Sequence, residues 1–238
     1  MQSGSDRFTA SAMKAIVIGA TGGIGAALAD ALEQRGAAVT RLSRSSAPPI
    51  DLSSDDSIAA AAAALAAEAP FDVIVVASGI LHGPGVAPEK TYRQLDGPAL
   101  EQVFRINAIG PALVARHFLP LLRPAGRAVF AALSARVGSI GDNRLGGWFG
   151  YRASKAALNQ IVKTLSIELA RTRPDTIVVA LHPGTVATPL SAPFRRGLAD
   201  GQLLTPADSA AALLDTLDRL VPTDSGHCFD WRGERIAP

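Results

Sequence analysis

The sequence predicts an α/β fold: a single domain built on a doubly wound, mainly parallel sheet with helices on both faces. Two observations lead to this prediction. Strand-like apolar segments alternate with helix-like segments along the chain, and the first strand passes through glycines directly into a helix. Such alternation is typical of a parallel sheet whose crossover connections are helices.

The individual strands are predicted from short apolar runs that end at turn residues. They are expected at residues 15–18, 37–42, 73–77, 127–133, 176–181 and 227–231. The alanine-rich stretch from Ser57 to Ala69 is a predicted crossover helix, since alanine is the best helix former and the stretch is too short to span a membrane. We expect one domain over residues 13–238, preceded by a loose, flexible extension at residues 1–12.

Composition excludes several classes of protein. The 238 residues carry 23 Lys and Arg against 21 Asp and Glu, with no run of five like charges, so we expect neither a nucleic-acid nor a membrane surface. Cys228 is the single cysteine, and the four histidines lack the spacing of metal ligands, so no structural metal is expected. Without a recognisable signal peptide or membrane span, the expected location is the cytoplasm.

The first strand ends in a cluster of glycines, within the sequence AIVIGATGGIGAALADAL at 15–32. A strand that turns sharply into a helix leaves backbone N–H groups at the positive end of the helix dipole, where anions bind. The spacing Gly19-x-x-x-Gly23-x-Gly25 is looser than the common G-x-G-x-x-G, and glycines also end strands for steric reasons. Its position in the first βαβ unit nevertheless predicts a site for dinucleotide phosphates.

The end of the second strand distinguishes between the two nicotinamide cofactors. A site for NAD usually carries an acidic residue there, whereas this chain has TRLSR and no acid before Asp51. Arginine pairs well with a 2′-phosphate, so Arg44, with Ser43 and Arg41 as candidate helpers, favours NADP(H) over NAD(H). A solvated surface position is the alternative for Arg41. Asp51, beside Leu52, either lies near the adenine or caps the next helix.

A tyrosine and a lysine four residues apart form the second candidate constellation. Tyr151 and Lys155 begin an amphipathic helical pattern, and positions i and i+4 share one helix face. A neighbouring ammonium favours the phenolate, so the pKa of the tyrosine is expected to fall into the range useful for acid/base catalysis. A tyrosine packed beside a solvated lysine is the alternative.

These motifs, together with Asn107 and the sequence PGTVAT at 183–188, resemble the short-chain dehydrogenase/reductase family. The resemblance covers the chain from residue 13 and is narrower to its branch of C-factor-like and sniffer-type carbonyl reductases. It implies a Rossmann-type fold, Tyr151 as the catalytic acid/base, Lys155 as its partner and ligand of the nicotinamide ribose, and Asn107 as holder of a relay water at a helix kink. The implied nicotinamide-side residues are Pro183, Gly184, Thr185, Val186 and Thr188.

The sequence departs from the family pattern at two places. The segment after the third strand reads Val-Ala77-Ser78-Gly79 where the family has Asn-Asn-Ala-Gly, although its backbone is still expected to face the adenosine. Ala135 stands where the family has its substrate-orienting serine. Ser134 is the predicted replacement and Ser139 the alternative, because a hydroxyl there stabilises charge developing on the carbonyl oxygen.

The predicted function is carbonyl–alcohol interconversion by an NADP(H)-dependent oxidoreductase acting on a small molecule. The expected cofactor contacts are Gly19, Thr21, Gly23, Ile24, Gly25, Ser43, Arg44, Asp51, Leu52, Ala77, Ser78, Gly79, Tyr151, Lys155, Pro183, Gly184, Val186 and Thr188. A nucleotide-binding signalling or redox-sensing protein with little turnover is the main alternative, and a scaffold with an empty cleft is the third. The resemblance implies a homodimer or homotetramer.

The substrate side is predicted to be a loop over residues 185–205 that covers the site as a lid. Its Leu190, Phe194 and Leu198 are candidates for an apolar pocket with Trp148 and Phe149. Arg195 and Arg196 are candidates for attracting an acidic substrate.

Overall fold

Six parallel strands form the main sheet of the protein, in the order β2-β1-β3-β4-β5-β8. The computed structural model describes residues 13–195 and 201–238. The strands of this sheet are β1 (Lys14–Ile18), β2 (Ala38–Leu42), β3 (Val73–Val76), β4 (Ala128–Leu133), β5 (Thr176–His182) and β8 (Cys228–Asp230). A separate parallel pair is formed by β6 (Thr185–Val186) and β7 (Leu203–Leu204).

Helices cover the sheet on both sides and bury two apolar cores. The helices are α1 (Gly23–Gln34), α2 (Asp55–Ala64), α3 (Gly97–Phe104), α4 (Gly110–Phe118), α5 (Phe149–Thr172) and α6 (Pro206–Arg219). Leucines of α1 and α6 pack on one face, whereas the apolar faces of α2, α4 and α5 pack on the other. The predicted α/β fold class is therefore confirmed.

The predicted strands match the observed ones to within about two residues at each end. The predicted crossover helix at 57–69 is observed as α2, followed by a short 3-10 turn at Ala66–Glu68. Ser54 caps α2, and its side chain accepts a hydrogen bond from Ser57 N, so the alternative that Asp51 caps this helix is wrong. The predicted extension at residues 1–12 lies outside the described residues.

The parallel topology brings the carboxyl ends of all six strands to one edge of the sheet. The segments that follow these strands carry most of the predicted site residues, as expected for this class of fold. Across the described ranges, no helix has both the length and the apolar character needed to cross a bilayer. The same residues contain no group of three or more His, Cys, Asp or Glu side chains arranged to hold a metal ion.

Candidate active site

The glycine turn between β1 and α1 is packed so closely that side chains would collide within it. Gly19 has φ +89°, and a Cβ there would lie 2.6 Å from Ser78 Oγ. A Cβ at Gly25 would lie 2.2 Å from the carbonyl oxygen of Gly19. The Gly19 N–H donates to Leu42 O at 2.8 Å, which ties the turn to the end of β2. These positions need glycine because the turn, β2 and the segment after β3 come into backbone contact there.

A cleft of about 330 Å³ runs from this turn along the carboxyl edge of the sheet. Nine of the predicted cofactor contacts line it: Gly19, Thr21, Ser43, Arg44, Asp51, Leu52, Ala77, Ser78 and Gly79. Gly22, Ile50, Ile80, Gln102 and Ile106, which sequence reasoning did not single out, line it as well. The cleft thus assembles residues that follow three different strands.

The predicted phosphate turn contributes to this cleft in part. Gly23, Ile24 and Gly25 belong to the first turn of α1 and do not line the cleft. A Cβ at Gly23 would lie 2.7 Å from Cγ2 of Thr188, so the loop after β5 packs directly on the helix start. Gly25 instead allows α1 to approach the backbone of the turn.

The two arginines near the end of β2 have different surroundings. The guanidinium of Arg41 is bound by Glu33 at 2.8 Å and Asp30 at 2.6 Å, both on α1, and these carboxylates raise its pKa. Arg41 does not line the cleft, which favours the alternative of a surface position over its candidate role as a helper. Arg44 is exposed and lines the cleft. It is the cation available to an anionic group at this end.

Asp51 also lines the cleft, close to Arg44. Its carboxylate accepts hydrogen bonds from Ser53 N at 2.9 Å and Ser53 Oγ at 2.7 Å. These bonds, with a smaller contribution from the charge of Arg44, hold the pKa of Asp51 below its ordinary value. The carboxylate is thus ionised and oriented inside the cleft.

Tyr151 and Lys155 lie in the first turns of α5, on one face as predicted. The Lys155 side chain is 3% exposed, and its Nζ donates to Leu133 O at 2.7 Å. The same Nζ lies 5.8 Å from the centroid of the Tyr151 ring. The pair is therefore anchored to the end of β4.

Burial dominates the ionisation of this pair. It raises the pKa of Tyr151 to about 12 and lowers the pKa of Lys155 to about 8, because a low-dielectric environment disfavours the charged form of each. The expectation that Lys155 lowers the pKa of the tyrosine is wrong for the chain as described. Its phenol is protonated at neutral pH.

Asn107 lies in a π-helical turn, Arg105–Ile109, inserted between α3 and α4. Its side chain accepts from Ile80 N and donates to Ile80 O, both at 2.8 Å, and donates to Ser154 Oγ at 3.1 Å. A Cβ at Gly79 would lie 3.3 Å from Asn107 Oδ1 and 3.4 Å from Lys155 Nζ. The inner end of the cleft, the amide and the ammonium therefore meet at Gly79.

The two candidate serines have partners elsewhere. Ser134 Oγ donates to Asn159 Oδ1 on α5 at 2.7 Å, and Ser139 Oγ donates to Pro238 O at 3.3 Å. Neither hydroxyl is hydrogen-bonded to Tyr151 among these contacts. Ala135 is extended and 9% exposed, so the position between them carries a methyl group in place of a hydroxyl.

The loop after β5 contains the other predicted nicotinamide-side residues. Pro183 O accepts a hydrogen bond from Ser209 Oγ of α6 at 2.8 Å. Gly184 has φ +81°, and a Cβ there would lie 2.9 Å from Trp231. Val186 is buried in β6, which pairs with β7. These contacts hold the loop over the sheet edge.

Aromatic side chains surround Tyr151 on its outer side. The Trp148 ring makes an edge contact with Tyr151 at 6.2 Å and with Phe194 at 5.0 Å between centroids. His82 lies 5.8 Å from Phe194 and its Nε2 lies 3.1 Å from Leu190 O. Two of the predicted pocket residues, Trp148 and Phe194, therefore contact each other beside Tyr151.

Other predicted pocket residues lie elsewhere. Phe149 is 39% exposed and lines a different cleft, on the outer side of α5 with Ile140 and Arg152. Arg195 binds Thr188 O and Ser191 Oγ of its own loop, which leaves it a poor attractor of substrate. Arg196 and Leu198 lie outside the described residues, as does part of the predicted lid.

Sequence reasoning missed two polar residues next to this site. Ser154 donates to Tyr151 O at 2.8 Å and accepts from Asn107, and its place beside Lys155 was a usable signal. Glu89 contacts the start of α5 from 61 residues away, and no local pattern indicates this. Only the folded chain brings such segments together.

Three comparisons relate this chain to known proteins. The short chain dehydrogenase family profile matches residues 13–199. C-signal of Myxococcus xanthus is 38% identical over 143 residues, which are 60% of this chain and 80% of that protein. An NADPH-bound carbonyl reductase from chicken fatty liver superposes with a TM-score of 0.82 at 25% identity, over 94% of this chain and 98% of that one. The carbonyl reductase Sniffer of D. melanogaster superposes with a TM-score of 0.80 at 23% identity, over 95% and 99%.

Proposed function

The chain belongs to the short-chain dehydrogenase family and is an oxidoreductase of the carbonyl reductase type, and on this premise we propose that it uses NADP(H) to interconvert a carbonyl and an alcohol. The observation that supports this most directly is the convergence at Gly79. Gly79 lines the cleft, and a Cβ built on Gly79 would lie 3.4 Å from the ammonium nitrogen of Lys155. Tyr151, a proton donor at neutral pH, lies beside that ammonium.

The residue types that line the cleft support the binding of a dinucleotide. The N-terminus of α1 has no side-chain cap, so the backbone N–H groups of its first turn are available to a pyrophosphate. Leu52 and Ile50 offer apolar surface for an adenine. Gly184, Val186 and Thr188, with Pro183, are the proposed residues beside the nicotinamide, which when bound supplies or accepts the hydride.

The preference for NADP(H) rests on charge at the outer end of the cleft. Arg44 is exposed there, whereas Arg41 is held by two carboxylates on α1. The carboxylate of Asp51 accepts hydrogen bonds from Ser53 N and Ser53 Oγ. A 2′-phosphate can therefore pair with the guanidinium of Arg44, as the resemblance to an NADPH-bound carbonyl reductase also favours.

The residues of the chain account for the proton transfer. In the reductive direction the phenol of Tyr151 donates its proton to the carbonyl oxygen of the substrate, and a pKa near 12 keeps that proton in place until it is needed. Lys155 has a pKa of about 8, so it is mainly an ammonium at pH 7 and stabilises the phenolate that forms. One of its hydrogens binds Leu133 O, which leaves two for ribose hydroxyls or a water. Asn107, fixed by Ile80, is the proposed holder of that water.

The test follows oxidation of NADPH by its absorbance against aldehydes, ketones and quinones, with NADH in parallel. We expect turnover with NADPH, at least a tenfold preference over NADH that Arg44→Ala removes, and loss of turnover in Tyr151→Phe. The matched control is Tyr92→Phe, since Tyr92 is 65% exposed and remote in the chain from α5. Equal rates for Tyr151→Phe and the wild type would contradict the proposal.

A signalling or redox-sensing protein with little turnover is the second candidate. Ala135 favours it, because the position lacks a hydroxyl, and so does the similarity to C-signal. Tight NADPH binding without turnover of any carbonyl in the same assay would support this second function.

A further inference from the structure

A buried carboxylate from a distant segment contacts the start of the catalytic helix. Glu89 is 7% exposed, and the Gly150 N–H points between its two carboxylate oxygens, at 3.3 and 3.2 Å. The Trp148 N–H donates to the backbone oxygen of the same glutamate at 2.5 Å. The side chain of Glu89 therefore binds Gly150, and its backbone oxygen binds Trp148. These two residues lie one and three positions before Tyr151.

This carboxylate is stabilised by the helix and by no cation. Within residues 13–195 and 201–238, no Lys, Arg or His forms an ion pair with Glu89. The 24-residue helix α5 has no acidic residue in its own first turn, so Glu89 supplies the negative charge that its N-terminal dipole favours. The buried side chain of Glu89 is therefore fixed at the N-terminus of α5.

The glycine at the contact allows the close approach. A Cβ at Gly150 would lie 2.9 Å from Glu89 Oε1 and 2.9 Å from Cδ2 of Leu100 on α3. The first turn of α5 is thus wedged between α3 and the segment that carries Glu89. Displacement of the glutamate would release this turn.

Trp148 is held by the backbone oxygen of Glu89, next to the contact that its carboxylate makes with Gly150. It has φ +52° and is the single non-glycine residue with positive φ in the described part of the chain. Such a backbone is unfavourable for a large side chain and persists only where its surroundings impose it. The hydrogen bond from its N–H to Glu89 O is one such constraint, and the result is that the indole ring contacts Tyr151 and Phe194.

We propose that Glu89 is a positioning residue that holds Trp148 beside Tyr151. Trp148 is the specificity-determining residue, because its ring borders the path by which substrates reach the tyrosine. The inference rests on the proposed function in one respect, the role of Tyr151. The indole makes edge contacts with Tyr151 and with Phe194 of the following loop, and on this proposal it limits the width of a substrate at the reacting end. Glu89 acts through Trp148 and touches no substrate itself.

The experiment compares Glu89→Leu, which removes both carboxylate oxygens at Gly150 and leaves the backbone oxygen at Trp148, with Glu89→Gln, which keeps one side-chain oxygen. Glu168→Leu removes an exposed carboxylate from the same helix and serves as the matched control. We expect Glu89→Leu to lower kcat/KM for a bulky aromatic ketone at least tenfold while the Kd of NADPH stays within twofold. Glu89→Gln should remain within threefold of the wild type, since its amide oxygen still accepts from Gly150 N. Trp148→Ala should change the ratio of kcat/KM between acetaldehyde and the ketone at least tenfold.

A second readout does not depend on turnover. Trp148 and Trp231 are the two tryptophans of the chain, so a Trp231→Phe background reports on Trp148 alone. We expect Glu89→Leu in that background to shift the emission to longer wavelength and to increase quenching by acrylamide. If Glu89→Leu does not fold, Glu89→Asp is measured in the same way, because the shorter side chain withdraws the carboxylate from Gly150.

The outcomes separate this proposal from the proposed function. A wild type without turnover on any carbonyl overturns the proposed function, and the emission of Trp148 then still decides the role of Glu89. If emission and acrylamide quenching are unchanged in Glu89→Leu, or in Glu89→Asp where the leucine variant does not fold, the positioning role is overturned. A parallel fall in kcat/KM and NADPH affinity would also overturn it, since that pattern indicates general loss of structure. An unchanged substrate ratio in Trp148→Ala overturns the specificity role.

Discussion

At the scale of single residues, the substrate side of the site is short of hydroxyl groups. Tyr151 carries a proton that burial keeps in place, whereas Ala135 offers none. The hydroxyl of Ser134 donates to Asn159 Oδ1, and the hydroxyl of Ser139 donates to Pro238 O. Ser134 remains the predicted second donor because it directly follows β4, but it must first break a 2.7 Å hydrogen bond.

Replacing Ala135 by serine is predicted to raise activity. The residue is extended and buried, and the family resemblance implies that a hydroxyl at this position would orient the substrate. Removal of one such donor lowers rates about 10²–10³-fold in other enzymes. We expect Ala135→Ser to raise kcat/KM for carbonyl reduction by roughly tenfold, with Ser134→Ala lowering it less than Tyr151→Phe does. Steady-state kinetics check this. A fall in activity in Ala135→Ser would show that the site works without a second hydroxyl.

At the scale of secondary-structure elements, helix starts determine where the chemistry lies. The N-terminus of α1 is packed against its own preceding turn through Gly25, and the N-terminus of α5 is packed against Glu89 through Gly150. In both cases the contact is between backbone and a group that cannot move away easily. The N-termini of α1 and α5 are therefore held in position by close contacts at Gly25 and Gly150.

Substitution within the first glycine turn is predicted to separate steric from conformational effects. A Cβ at Gly25 would lie 2.2 Å from Gly19 O, whereas one at Gly22 would lie 3.3 Å from it. We expect Gly25→Ala to lower the free energy of unfolding by more than ~2 kcal/mol, as overpacking does. Gly22 has φ −77° and ψ 156°, an ordinary extended conformation, so Gly22→Ala should change it by less than ~1 kcal/mol. Urea denaturation measures both, and similar values would refute the packing argument.

At the scale of the whole molecule, the fold places a lysine where burial opposes its charge. Lys155 lies between α5 and the end of β4, and its pKa falls to about 8 from an ordinary 10.5. At pH values between these two pKa values, Lys155 binds a proton in the unfolded chain and lacks it in the folded chain. Folding stability due to this group must therefore rise with pH over that interval.

The comparison of wild type with Lys155→Met tests this linkage. We expect the stability of the wild type, relative to the variant, to increase by about 2 kcal/mol from pH 8 to pH 10. Taking the difference between the two proteins removes the contribution of Tyr151, whose raised pKa of about 12 acts chiefly above pH 10. Urea midpoints across that range provide the measurement. A constant difference would mean that Lys155 titrates normally in the folded state.

Local sequence determined the repeating architecture of this protein. Apolar runs bounded by turn residues located the six strands of the sheet, and the spacing of Tyr151 and Lys155 located one face of α5, because periodicity is a local property of the chain. The glycines after β1 and the absence of an acid after β2 predicted the residues that line the cleft, since strand ends in a parallel sheet meet at one edge.

Tertiary structure alone decided the ionisation and the hydrogen-bond partners of the side chains at the carboxyl edge of the sheet. The direction of the Tyr151 pKa follows from burial, the partners of Ser134 and Arg41 lie on other elements, and Glu89 reaches α5 across 61 residues of sequence. Such properties depend on desolvation and on contacts between segments distant in the chain, which no local pattern encodes. The sequence by itself thus determined which elements and residue types reach the site, whereas packing between elements decided which groups are charged, paired or free to act there.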